Sequence, residues 1–133
     1  MTKEQLTSLA KEAMGRAYAP YSSCKVGAAL LAESGKVYLG CNIENASFSP
    51  TICAERSAFA AAVSAGERSF TALAVTGGRD GIIGEAFFPC GVCRQVIREF
   101  CADDFPIYVL TGKGILSLTL KDLLPHSFSS EVM

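Results

Sequence analysis

The chain has 133 residues, half of them apolar and 19% charged, with a formal net charge of −1. That apolar share excludes a disordered chain, and the length suits one domain, 1–133, whose core needs no disulfide staples. The near-zero charge excludes a broad nucleic-acid footprint, which requires a basic excess, and offers no polybasic handle for a membrane.

The first predicted element is an amphipathic helix. Leu6, Leu9, Ala10, Ala13, Met14 and Ala17 fall at helical spacing, and Thr2 with Gln5 forms a possible capping box. Its end is expected near Tyr18, because Pro20 biases Ala19 away from helical dihedrals. Residues 26–32 and 37–41 are short apolar runs around a Gly-containing turn, 33–36, which reads as a β-hairpin. Residues 52–65 read as a helix apolar nearly all round, with Gly66 as its stop. Such a helix belongs in a core or at an interface. Residues 72–76 are a predicted strand, and 77–88 an irregular, Gly-rich loop. A second helix, 91–101, places Val92, Val96, Ile97 and Phe100 on one face. Strands 107–110 and 115–118 follow, joined only by Thr111-Gly112-Lys113-Gly114. That connection is too short for a parallel crossover, so this last pair must be antiparallel. Thr119 is placed to cap a final short helix through Leu124, stopped by Pro125. Strands and helices in this order make an α/β domain, a mixed sheet covered by helices.

Six cysteines are the odd feature of the composition. The N-terminus has no basic stretch followed by an apolar one, so no secretory signal is expected. The longest apolar windows are strand length. The expected compartment is the cytoplasm, where cysteines are usually reduced. The cysteines are then packing residues, redox groups or metal ligands.

Three of them are arranged tellingly. Cys53-Ala54-Glu55 opens one predicted helix, and Pro89-Cys90-Gly91-Val92-Cys93 opens another. The dipole and free N–H groups of a helix start favour the thiolate, and thiolates suit zinc. Three protein ligands leave a fourth tetrahedral position for water, the pattern of a catalytic rather than a structural zinc. Glu55 is a carboxylate close to the ion but not needed as a ligand, so its natural role is to move a proton from that water. Three thiolates would leave the centre net negative. Arg56 or Arg94 could draw off charge by donating to the sulfurs, and Arg56 is favoured, one helical turn from Cys53. A thioredoxin-like reading of Cys90/Cys93 fits badly, because the pair follows a long loop rather than the first strand of a βαβ unit. A closed four-cysteine site would need Cys24, Cys41 or Cys101.

Together these residues match the known zinc-deaminase signature in its three-cysteine form. The chain resembles the small, homotetrameric cytidine deaminases over residues 9–128. The matching stretches are Ala19-Pro20-Tyr21-Ser22, residues 26–31, residues 40–46, Cys53-Ala54-Glu55-Arg56, residues 89–96, Glu99-Phe100 and Leu123-Leu124-Pro125. The resemblance implies a three-layer α/β/α fold on a five-stranded mixed sheet with the last two strands antiparallel. Nucleic-acid deaminases of this superfamily carry a helix between those strands. It also implies one Zn2+ per subunit on Cys53, Cys90 and Cys93. Glu55 would protonate N3 while activating the water that attacks C4. Asn42 and Glu44 would bind the ribose 3′-hydroxyl, and the backbone at Ala54 would read the pyrimidine edge. Arg56 would hydrogen-bond the sulfurs. Phe128 would be donated by a neighbouring subunit. The implied reaction is deamination of cytidine and deoxycytidine in pyrimidine salvage. The alternatives are a modified cytidine or a blasticidin-like nucleoside as substrate, and a non-catalytic zinc module, against which Glu55 argues.

Two residues depart from the family's pattern. Cys24 stands where a phenylalanine usually packs on the pyrimidine. Base stacking on an aromatic is worth roughly 1–3 kcal/mol, so the expectation is weaker cytidine binding or room for a bulkier base, unless Phe48 or Phe128 compensates. Phe88 stands where a small polar residue is common. His126, the single histidine, is expected on the surface, and Cys41 and Cys101 in packing roles.

Overall fold

The computed structural model describes residues 1–133 and opens with helix α1, Lys3–Met14. Thr2 Oγ1 accepts from the Gln5 amide at 3.1 Å, and Gln5 Oε1 accepts from the Thr2 amide at 2.9 Å, which is the predicted capping box. The helix ends at Met14, earlier than the expected stop near Tyr18. Gly15 closes it, and the Arg16 and Ala17 amides turn to the carbonyls of Ala13 and Met14, three residues back. Tyr18 then donates to Asn42 O and bridges to Ile43, which takes it out of the helix.

Five strands follow: β1 (Cys24–Ala32), β2 (Val37–Cys41), β3 (Phe70–Arg79), β4 (Pro106–Thr111) and β5 (Gly114–Thr119). They form one sheet in the order β2-β1-β3-β4-β5. Only β3 and β4 are parallel, and they are joined through helix α3, Gly91–Phe100. The β4–β5 hairpin is antiparallel, with Thr111 opposite Gly114, as the short connection required.

Strand alternation distributes the side chains to two faces. Ala28, Leu30, Leu73, Val75, Ile107 and Val109 pack with Phe59 of helix α2 (Ala54–Ser64), Ile97 of α3 and Leu120 of the short helix α4 (Leu120–Leu123). Ala29, Ala72 and Ala74 face the other way, onto Leu6 and Ala10 of α1. The result is the three-layer α/β/α fold. No helix is long and apolar enough to cross a membrane.

Several boundaries differ from the sequence expectation. β3 runs on through Gly77 and Gly78, because Cys24, Lys25 and Val26 of β1 pair with it as far as Arg79. Ile52 is not helical: it bridges to Ile43, and α2 begins only at Ala54. That helix is not buried all round, since Ala60 and Ala61 are exposed. Val92 of α3 also faces solvent, at 59% exposure. A short 3-10 turn, Ser130–Val132, had no sequence signal.

Gly40 of β2 sets how closely α2 approaches the sheet. A Cβ there would collide with the carbonyl of Ala54 and the amide of Ala58, both backbone atoms of α2. Gly40→Ala should therefore lower the unfolding free energy by about 1–3 kcal/mol, the usual cost of overpacking. A denaturant titration measures it, and a change below about 0.5 kcal/mol would show that α2 is free to shift.

Candidate metal centre and active site

The sheet delivers the starts of α2 and α3 to one place. Cys53 is the N-cap residue of α2, and Cys90 is that of α3. Neither side chain caps its own helix, so both thiols are free to face a common point. Cys93, in the first turn of α3, is fully buried. The three sulfurs lie within 4.8 Å of one another, with Cys53 Sγ–Cys90 Sγ at 3.7 Å and Cys90 Sγ–Cys93 Sγ at 3.5 Å. A tetrahedral zinc with bonds of 2.3 Å to sulfur needs ligand sulfurs about 3.8 Å apart. The cluster fits zinc in both spacing and donor chemistry. All six cysteines are free, and Cys24, Cys41 and Cys101 lie outside the cluster.

The electrostatics favour the thiolate at Cys53. The Cys53 thiol is lowered to about 5, first by a hydrogen bond from Cys93 and then, against burial, by one from Arg56. Cys93 is pushed upward by that same bond with Cys53 and by burial. Arg56 Nη2 donates to Cys53 Sγ at 3.5 Å, while its Nε is buried without a partner. Arg94 does different work. Its Nε donates to Pro89 O at 2.6 Å and its Nη1 to Leu123 O at 2.7 Å, pinning the segment before Cys90 onto the end of α4.

Glu55, the second residue of α2, is only 4% exposed. Burial raises its carboxyl to about 7, partly offset by its own backbone N–H; the Cys53 charge pushes the same way as burial. It shares a cavity of about 270 Å3 with Cys53, Ala54, Cys90, Asn42 and Glu44. Asn42 Nδ2 donates to Cys24 O at 2.7 Å and its Oδ1 accepts from the Val26 amide at 2.8 Å, which leaves one amide hydrogen for another partner. Glu44 Oε1 accepts from the Tyr21 and Ser22 amides at 2.9 and 3.1 Å, and its Oε2 from Ser22 Oγ. The Ser22 hydroxyl and these amides hold its carboxyl below the usual range, so it is an anion at neutral pH.

Two residues singled out in the sequence lie off this cavity. The Cys24 side chain does not line it; what Cys24 supplies is the carbonyl that fixes Asn42. Phe128 is 62% exposed, with its carbonyl accepting from Gln95 Nε2 at 2.9 Å. His126 is exposed, as expected. Conversely, Phe87 and Phe88 line the cavity beside Cys90. Phe88 stood out in the sequence only as a departure before Pro89, with no role attached, and Phe87 carried no signal of its own.

The sequence family described as "Cytidine and deoxycytidylate deaminase zinc-binding region" matches residues 1–109. The chain is 52% identical over 132 residues to a cytidine deaminase of Sporosarcina psychrophila, covering 98% of this chain and 94% of that one. It is 42% identical over 134 residues to the cytidine deaminase of Halalkalibacterium halodurans, covering 100% and 98%. The crystal structure of a cytidine deaminase from Burkholderia pseudomallei superposes with a TM-score of 0.88 at 43% identity, covering 96% of this chain and all of that one. Three sulfurs at zinc spacing beside a buried carboxyl, in this fold and with these relatives, have one explanation: the chain belongs to the zinc-binding cytidine and deoxycytidylate deaminase family and is an enzyme of the cytidine deaminase type.

Proposed function

We propose that this chain hydrolyses cytidine and deoxycytidine to uridine and deoxyuridine with release of ammonia, as a cytoplasmic enzyme of pyrimidine salvage acting as a single-domain chain in a homotetramer. The observation that carries this reading is the cavity itself, which brings Cys53, Cys90 and Glu55 together with Asn42 and Glu44 in one lining. Cys53, Cys90 and Cys93 would hold one Zn2+ per subunit, and when bound the ion supplies a water made acidic enough to act near neutral pH.

Glu55 moves the protons. Buried beside the sulfurs, with its carboxyl raised from the usual range by burial, it is suited to take and return a proton. It accepts one from the attacking water, delivers it to N3 of the base, and then serves the amine that leaves C4 as ammonia. Water adds across the N3–C4 bond, its oxygen to C4 and a proton to N3, to give a tetrahedral carbon. That carbon then forms its carbonyl as the hydroxyl proton passes to the amine and the C4–N bond breaks, so the atoms balance as nucleoside plus water to keto-nucleoside plus ammonia. Asn42 uses its remaining amide hydrogen, and Glu44 its carboxylate, to position the ribose 3′-hydroxyl. The backbone at Ala54 reads the pyrimidine edge, and Phe128 of a neighbouring subunit completes the pocket. The substrate is a free nucleoside, not a nucleic acid or a membrane component, in keeping with the net charge of −1.

Ultraviolet absorbance with cytidine, deoxycytidine and blasticidin S tests the assignment. Turnover of the first two supports it, turnover of blasticidin S alone moves the substrate, and no turnover with zinc bound removes the activity. Arg56 makes a narrower prediction. Its guanidinium draws charge from Cys53, so Arg56→Gln should cut kcat/KM about 10–100-fold while one zinc per chain remains. Unchanged kinetics would remove that role from Arg56.

A further inference from the structure

We propose that Phe88 is a specificity-determining residue whose ring stacks on the base in the zinc cavity; this rests on the cytosine-nucleoside reading above. The only aromatic rings lining that cavity are Phe87 and Phe88, and from β1 the cavity receives Val26 alone. Phe87 is wedged against β3: a Cβ on Gly77 would meet its ring at 2.8 Å. Phe88 is different. It lines the cavity yet is 46% exposed, so its ring keeps apolar surface that a planar ligand can cover.

Its backbone is fixed from behind. The residue before a proline is held to extended conformations. Pro89 is among the fully buried residues, and its carbonyl is held by Arg94. Phe88 therefore stands on a rigid segment two residues before Cys90, and its ring can serve as a wall rather than as a mobile flap. A flat base bound with its reacting carbon toward the cysteines and its sugar toward Asn42 and Glu44 shares the cavity with this ring. Cys24, which does not line the cavity, offers the base no comparable face.

Three variants test this in the zinc-loaded enzyme. Phe88→Ala should raise KM for cytidine about tenfold or more while kcat stays within about threefold, as expected for a lost stacking surface. Uridine, the unreactive product, should lose affinity by a similar factor in calorimetry. Phe88→Tyr should restore both, and Phe88→Leu only part. Zinc content and melting temperature should not move. Equal KM and uridine affinity across wild type, Ala, Leu and Tyr would overturn the proposal. So would a change in oligomeric state on sedimentation without a change in uridine affinity, because the ring would then be a subunit contact. A wild-type enzyme inactive on every cytosine nucleoside removes the function and this inference together; an active one with an indifferent Phe88→Ala removes this inference alone.

Discussion

Glu55→Gln should retain one zinc per chain and lose kcat on cytidine by about 10²–10⁴-fold, the range that a positioned acid–base group contributes. The amide keeps the size and most of the hydrogen-bonding of the carboxyl but cannot carry a proton between water, N3 and the leaving amine. KM should change much less than kcat, because Asn42 and Glu44, which position the sugar, are untouched. Metal analysis alongside stopped-flow or absorbance kinetics separates the possibilities. Activity within tenfold of wild type would refute the proton role; loss of zinc would make Glu55 a prop for the metal centre instead.

The same substitution has a signature in stability. Chelator-treated protein isolates what burial does to the carboxyl. Glu55 titrates near 7 when folded and near 4.5 as a free side chain. Between those values this carboxyl holds its proton in the folded chain and not in the unfolded one, so the contribution of Glu55 to stability falls as pH rises from about 4.5 to 7. Glu55→Gln removes this dependence. The variant should match wild type below pH 4.5 and exceed it by up to about 3 kcal/mol above pH 7. Urea titrations at pH 4, 6 and 8 measure the divergence.

What was legible in the sequence was mostly local and chemical. The capping box at Thr2 and Gln5, the hairpin around residues 33–36 and the antiparallel last pair all follow from short-range rules. The cysteine cluster was legible because its ligands sit in short motifs at two helix starts, although only the sheet brings those starts together. The misreadings came from tertiary pairing. Gly77 and Gly78 look like loop, yet β1 recruits them into β3. Residues 15–17 keep a helical pattern, but Gly15 and the bond from Tyr18 to Asn42 end α1 early. Site walls were the hardest part. Phe87 and Phe88 carry no ligand chemistry, and only the folding of the 85–90 segment beside β1 and α2 makes them part of the cavity. Cys24 shows the reverse, since its position drew attention to a side chain while the structure uses its carbonyl.

Cys90→Ala should cost as much stability as stripping the metal. Cys90 is exposed, so as a packing residue it would be worth within about 0.5 kcal/mol. As a zinc ligand it is worth the binding free energy that the folded state gains. With zinc a thousandfold above its dissociation constant that gain is about 4 kcal/mol. The chelator should then lower the wild-type melting temperature by roughly 10 °C or more, and zinc should restore it. In Cys90→Ala the temperature should already be low and indifferent to both chelator and zinc, with activity lost. Cys101→Ala is the counterpart. Cys101 is buried outside the cluster, with its thiol pushed up to about 12 by burial, so its replacement should leave a small cavity but one zinc per chain and a full response to chelator. A Cys90→Ala protein that still melts with a zinc-dependent shift would mean that the other two sulfurs hold the ion without it. The fourth tetrahedral position would then not be the only one open to water, and the charge balance assigned to Arg56 would need a different partner.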